Sequence, residues 1–182
     1  MTTFFSVDVE TSGTDPFKYD LLSVGAVAID EGGLILDSYY VRLSYDRPVV
    51  WDDGTKVWWL EQNAEAKREV FSTELDTEHP QPAAFGLRAW VMRVGGDGFH
   101  DNVFVANPSS FDHAWIRKLF SETGVPDPFS YRTLCLRSAS WGAGGRPWSE
   151  TQRTHEPFIP HHALHDAQAQ ALDFLDLLKG RQ

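Results

Sequence analysis

The sequence has one cysteine, Cys135. A disulfide framework needs pairs and a cysteine-rich zinc site needs several thiolates, so both are excluded. A lone thiol suits a reducing compartment. Long apolar runs are also absent. Charge or glycine interrupts each within about ten residues, far short of the roughly 18 that a membrane span requires. The opening Met1-Thr2-Thr3-Phe4-Phe5 lacks the basic start and apolar core of a secretory signal. The expectation is a cytoplasmic protein with no membrane partner. Positive charge is scarce too: 16 Lys and Arg face 26 Asp and Glu, for a net charge of −10. Such a chain cannot neutralise phosphates over a broad basic surface. Carboxylates that hold divalent cations would reverse the field locally. Carboxylates that do not would only keep the protein soluble.

What is present is enough for one packed domain, expected to span residues 1–182. Hydrophobic residues make up 42% and aromatics 13%, sufficient for a sizeable core. Phe5, Val7 and Val9 alternate with Ser6, Asp8 and Glu10, the period of a strand with two unlike faces. Leu21 to Ile29 and Leu34 to Leu43 read as two more strands around the turn Asp30-Glu31-Gly32-Gly33. The three suggest an antiparallel meander. Thr55 is placed as the cap of a short helix ending near Gln62, and Asn63 as the cap of another through Phe71. Phe85, Leu87, Trp90, Val91 and Val94 recur at helical spacing before Gly95-Gly96.

Val103 to Ala106 reads as a buried strand. A helix follows with Phe111, Trp115, Ile116, Leu119 and Phe120 on one stripe, stopped by Gly124. Ser130 to Leu134 suggests a short last strand. Residues 141–160 are rich in Gly and Pro and read as a loop. The final helix runs from Ala163 to Lys179, with Leu164, Ala167, Ala171, Leu172, Leu175 and Leu178 inward. This order predicts an α/β fold: a mixed β-sheet, meander first and parallel strands after, flanked by helices.

Three segments carry chemistry. A strand sends i and i+2 to one side, so Asp8 and Glu10 project together. They would repel unless protons or cations intervene. The plain alternative is an edge strand with a solvated polar face. Asn107-Pro108-Ser109-Ser110-Phe111-Asp112 follows the apolar strand. It puts Asp112 in the first turn of a helix at the carboxyl end of a strand, where α/β sheets place their sites. The competing explanation is an acid that favours the helix dipole. His161-His162-Ala163-Leu164-His165-Asp166-Ala167 opens the last helix. Spacing i, i+4 would face His162 to Asp166 and His161 to His165. If 160–162 is loop, His161 can reach over the site. A histidine pair can also bind zinc. For His162 and His165 a surface position is the simpler expectation.

Together these segments resemble the DEDDh exonucleases of the ribonuclease H-like superfamily. Asp8-Val9-Glu10-Thr11-Ser12-Gly13 resembles the first motif, Asn107 through Phe111-Asp112 the second, and His161 through Ala167 the third. Thr55 to Glu61, with Trp58-Trp59, and Tyr131-Arg132-Thr133 are similar to the small phage and mycobacterial exoribonuclease branch. Pro108 departs from that family's usual small residue.

The resemblance implies a 3′→5′ exonuclease that acts on the 3′ end of single-stranded RNA or DNA and releases nucleoside monophosphates. Asp8, Glu10, Asp112 and Asp166 would hold two Mg²⁺ or Mn²⁺ ions, with Asp8 bridging and His161 as general base. Such ion pairs lie about 3.5–4 Å apart and flank the scissile phosphate. Thr11 and Ser12 are candidates for the terminal sugar, Trp58, Trp59 and Phe111 for base stacking, and Asn107 for the same subsite. Arg132, Arg137, Arg146 and Arg153 are candidates for phosphate contacts. RNA is the first expectation and DNA the second, since one 2′-OH separates them. A catalytically inactive nucleic-acid-binding domain and a zinc protein built on His155, His161, His162 and His165 are the readings from other classes. The resemblance leaves room for a homodimer, with loop 141–160 as a contributor.

Overall fold

A computed structural model describes residues 2–96, 98, 101–144 and 155–179. Arg146, Arg153 and half of the loop invoked for dimerisation lie outside them. The chain runs β1 (Thr3–Thr11), β2 (Leu21–Asp30), β3 (Ile35–Arg42), α1 (Asp53–Glu61), α2 (Ala64–Phe71), α3 (Pro80–Gly95), β4 (Asn102–Ala106), α4 (Ser109–Thr123), β5 (Thr133–Cys135), α5 (Leu136–Gly144) and α6 (Ala163–Lys179). One five-stranded sheet has the order β3-β2-β1-β4-β5. β1, β2 and β3 pair antiparallel. β4 joins β1 in parallel, and β5 joins β4 in parallel. The α/β mixed sheet expected from the sequence is therefore present, and it is the ribonuclease H-like arrangement.

β1 is the central strand, not an edge. Both of its faces are covered, which the alternation of apolar and polar residues does not announce. Phe5, Val7 and Val9 enter the larger core with Val24, Ala26, Leu87, Val91, Phe104, Trp115 and Ile116, under α3 and α4. The opposite face meets α6, where Val27, Ile29 and Val105 pack against Ala167, Ala171, Phe174 and Leu175. Ser6, on that side, is fully buried and donates from Oγ to the Ala167 carbonyl at 2.9 Å.

Gly25 lets α6 dock so closely. It stands opposite Asp8 in the β1–β2 ladder. A Cβ there would collide with the backbone of Ala163 and Leu164. The start of the last helix is thus pressed onto β2 beside Asp8.

Several expected boundaries move. Asp52, not Thr55, caps α1: its carboxylate accepts the Thr55 N–H at 2.8 Å. An aspartate three residues upstream satisfies an orphan donor better than a threonine already inside the helix. Asn63 does cap α2. Residues 141–144 are the end of a helix, α5, rather than loop. Leu172 on α6 is 40% exposed and faces outward, whereas Gln170 is fully buried. Gly124 ends α4 in the left-handed conformation. No helix among the described residues is long and apolar enough to cross a membrane.

Candidate active site

The carboxyl-terminal half of β1 carries the first two acids to the end of the sheet. Asp8 is 9% exposed and faces α6, and Glu10 is half-buried on the same side. Asp166, 4% exposed, comes from the first turn of α6. One carboxylate oxygen from each of the three lies within 4.8 Å of the others. Three buried or half-buried carboxylates at that range repel strongly without a counter-charge. All the donors are hard oxygens, the set that suits Mg²⁺ or Mn²⁺. Among the described residues, this is the one cluster of three or more acids, histidines or thiols close enough to share an ion. The histidine-based zinc arrangement does not assemble among those residues.

Asp112 reaches the same cleft from α4. The β1–β4 ladder ends at Ser6 opposite Val105. The Val9 N–H beyond it needs another partner, and Asp112 Oδ1 accepts it at 3.2 Å. Asp112 is 3% exposed, so it does more than sit at a helix start. It belongs to the cleft wall but not to the tight trio.

His161 lies in the turn before α6, which leaves its side chain clear of the helix. Its φ of 64° is in the left-handed region, uncommon for a residue other than glycine. Its backbone N–H donates to Asp166 Oδ2 at 2.8 Å, holding turn and carboxylate together. The imidazole meets Trp58 edge-on, with ring centroids 4.7 Å apart. His162 and His165 are not simple surface residues. Their rings stack at 4.2 Å, and His162 also stacks on Tyr40. Burial, with His165 beside it, pushes the His162 imidazole below its ordinary 6.5.

Asp8, Glu10, Asp112, His161 and Asp166 line a cleft of about 340 Å³, together with Asn107, Pro108 and Phe111. The Asn107–Pro108 peptide is cis. A second hollow of about 460 Å³ shares Val9, Glu10 and Phe111 with the first and continues over Thr11, Thr14, Thr55, Trp58 and Trp59. The binding candidates divide around these spaces. Thr11 lines the second hollow, but its Oγ1 donates to the Gly13 carbonyl at 2.7 Å and its own carbonyl accepts Trp59 Nε1–H at 3.1 Å. Trp59 is 1% exposed and forms the back wall, while Trp58, 41% exposed, offers the open ring.

Ser12, expected at the terminal sugar, lines neither hollow. It is fully buried, with Oγ 2.7 Å from the Val50 carbonyl and 3.1 Å from that of Asp20. It pins the loop before β2. Asn107 lines the cleft and accepts Arg137 Nε–H at Oδ1, 3.3 Å away. Arg132 lies over the Tyr131 ring at 5.6 Å.

Gln170 was not anticipated as part of the site. It is fully buried, one turn beyond Asp166, and donates from Nε2 to Asp8 Oδ1 at 2.6 Å. A polar residue inside an otherwise apolar helix face was the signal that could have found it.

A family model described as the 3′-5′ exoribonuclease Rv2179c-like domain matches residues 3–175. The 3′-5′ DNA exonuclease Cap18 of Escherichia coli is 29% identical over 180 residues, which cover 92% of this chain and 87% of that protein. The PolC-type DNA polymerase III of Thermotoga maritima is 26% identical over 188 residues, covering 97% of this chain and 12% of the polymerase. Among solved structures, the nuclease domain of 3′hExo, a DEDDh family member bound to rAMP, superposes with a TM-score of 0.73 at 14% identity, over 98% of this chain and 92% of that one. E. coli exonuclease I in complex with single-stranded DNA superposes with a TM-score of 0.72 at 17% identity. All of this chain is covered there but 41% of exonuclease I, so the chain spans under half that enzyme's length. At such identities the superpositions show a shared fold.

Proposed function

Because the chain belongs to the family of Rv2179c-like 3′-5′ exoribonuclease domains, we propose that it shortens single-stranded RNA from the 3′ end, releasing nucleoside 5′-monophosphates. It is a 3′-5′ exonuclease of the DEDDh type. The observation that carries the reading is the convergence of Asp8, Glu10 and Asp166 within 4.8 Å in a cleft that His161 also lines. An inactive binding domain has no use for that concentration of negative charge where a polyanion must approach. The single cysteine suits a cytoplasmic setting.

Asp8, Glu10 and Asp166 would hold one divalent cation, and Asp112 on the adjoining wall would help hold a second, Mg²⁺ or Mn²⁺. Bound there, such cations lower the pKa of an attacking water and neutralise charge that grows on the leaving 3′-oxygen. His161, on the wall of the same cleft, takes the proton of that water on a ring nitrogen. Its left-handed turn and the bond from its N–H to Asp166 hold its backbone beside that carboxylate, and the edge-on contact with Trp58 orients the ring. The 3′-terminal nucleotide lies in the adjoining hollow. There Trp58 and Phe111 bracket the base, Trp59 closes the back and the Thr11 segment meets the sugar, while Asn107 lines the first cleft on the phosphate side.

Cleavage of DNA is the second reading, favoured by the match to Cap18 along most of both chains. Oligonucleotides that differ only in the sugar of the 3′-terminal nucleotide separate the two. A higher kcat/KM for the ribose-ended strand supports the exoribonuclease. A higher value for the deoxyribose-ended strand makes the protein a DNA exonuclease with the same site.

A further inference from the structure

The site just described accounts for the terminal nucleotide and the scissile phosphate, but not for the next nucleotide on the 5′ side. The two hollows set the strand's direction. They share Val9, Glu10 and Phe111. A terminal nucleotide seated against Trp58 places its 5′-phosphate at the carboxylates. The upstream strand then crosses the first cleft, whose rim includes Asn107 and Pro108.

No lysine or arginine lines either hollow among the described residues. In a chain of net charge −10, a polyanionic substrate needs local cations outside the metal centre. Arg137 supplies one at this rim, through the bond from its Nε–H to Asn107 Oδ1 at 3.3 Å. It lies in the first turn of α5, and Trp141 follows one turn later. Residues i and i+4 share a helix face, so Trp141 lies on the α5 face that carries Arg137. Trp141 is 52% exposed, while Leu136 anchors the helix in the core. An exposed indole alone means little. An indole one turn beyond a guanidinium that bonds the cleft-lining Asn107 matches a nucleotide: a cation for phosphate and a flat ring for the base.

We infer that Arg137 and Trp141 form a binding subsite for the nucleotide immediately 5′ of the scissile bond. The guanidinium takes the phosphate on that nucleotide's 5′ side, and the indole stacks on its base. The inference rests on the exonuclease reading.

Two substrates test it in the presence of Mn²⁺. One is a 5′-labelled trinucleotide. The other is a nucleoside 5′-monophosphate p-nitrophenyl ester with the same terminal base and sugar. In the ester, p-nitrophenol replaces the upstream nucleotide as leaving group, so only the terminal subsite and the carboxylates are engaged. Trp141→Ala and Arg137→Gln should each raise KM for the trinucleotide about tenfold. For the ester, kcat and KM of Trp141→Ala should stay within about twofold. Trp141→Ala is the cleaner arm, because Arg137 also contacts Asn107. Unchanged KM for the trinucleotide, or parallel losses on both substrates, overturns the subsite. Failure of the wild-type protein on both substrates contradicts the exonuclease reading itself and is seen before any variant is made.

Discussion

Gln170 Nε2 donates to Asp8 Oδ1 at 2.6 Å, and both side chains are buried against the same face of the sheet. A charge-assisted bond of that length fixes which way the Asp8 carboxylate points. Gln170→Leu keeps the volume and removes the donor. Groups that orient metal-binding carboxylates typically contribute 10–100-fold in affinity or activity. The expected outcome is a loss of that order in kcat, with weaker Mn²⁺ binding by calorimetry and unchanged circular dichroism. Equal Mn²⁺ affinity in variant and wild type would show that Asp8 is oriented by something else.

Gly25 is constrained by backbone, not by a flexible side chain. Gly25→Ala drives a methyl group into the Ala163–Leu164 peptide. Overpacking of this kind costs about 1–3 kcal/mol. The shift must also move Asp166, three residues along α6, so activity should fall more than stability alone explains. Denaturant melts and kcat/KM on the same preparation check this.

Trp59→Phe keeps an aromatic wall but deletes the donor to the Thr11 carbonyl. The expected cost is about 1 kcal/mol of stability, with a modest rise in KM. Trp58→Ala should leave stability nearly unchanged and raise KM more, because its ring is the exposed one. The reverse ranking in KM would assign the base to Trp59.

Asp20 makes a pH prediction. Burial pushes its carboxyl up, but the Arg47 guanidinium, 2.7 Å away, and the Val50 N–H outweigh burial and hold it below its ordinary 3.8. A depressed folded-state pKa contributes stability that is complete above the unfolded value and is lost as pH falls through the folded value. Denaturant midpoints should therefore drop as pH falls below about 4. Arg47→Ala should lower the midpoint at neutral pH and flatten that acid dependence. An unchanged slope in the variant would show that other carboxylates set it.

Much of this architecture was legible from the chain. Period-2 alternation around Asp8 and helical stripes around Trp115 gave the elements, and their order gave the mixed sheet. The acids were legible because each stands at a recognisable junction: strand end, first helical turn, loop into helix. What stayed hidden depends on distant partners. Nothing local says that Ser12 bonds the Asp20 and Val50 backbone, or that the second face of β1 is sealed by α6. The mutual stacking of His162 and His165 with Tyr40 is likewise set by how α6 lands on β2. The glycines at 142, 144 and 145 suggested loop, yet 141–144 complete a helix, since terminal glycines tolerate the last turn.

The central claim is that Asp8, Glu10 and Asp166 form a metal centre that hydrolyses the 3′-terminal phosphodiester. The most direct measurement is a gel time course on 5′-labelled single-stranded RNA with Mg²⁺ or Mn²⁺, with EDTA, and with Asp8→Ala. The expected result is a ladder that shortens from the 3′ end with metal and is abolished by EDTA and by the substitution. Shortening that persists in EDTA or in Asp8→Ala would contradict the account, as would intact RNA and DNA under every metal condition.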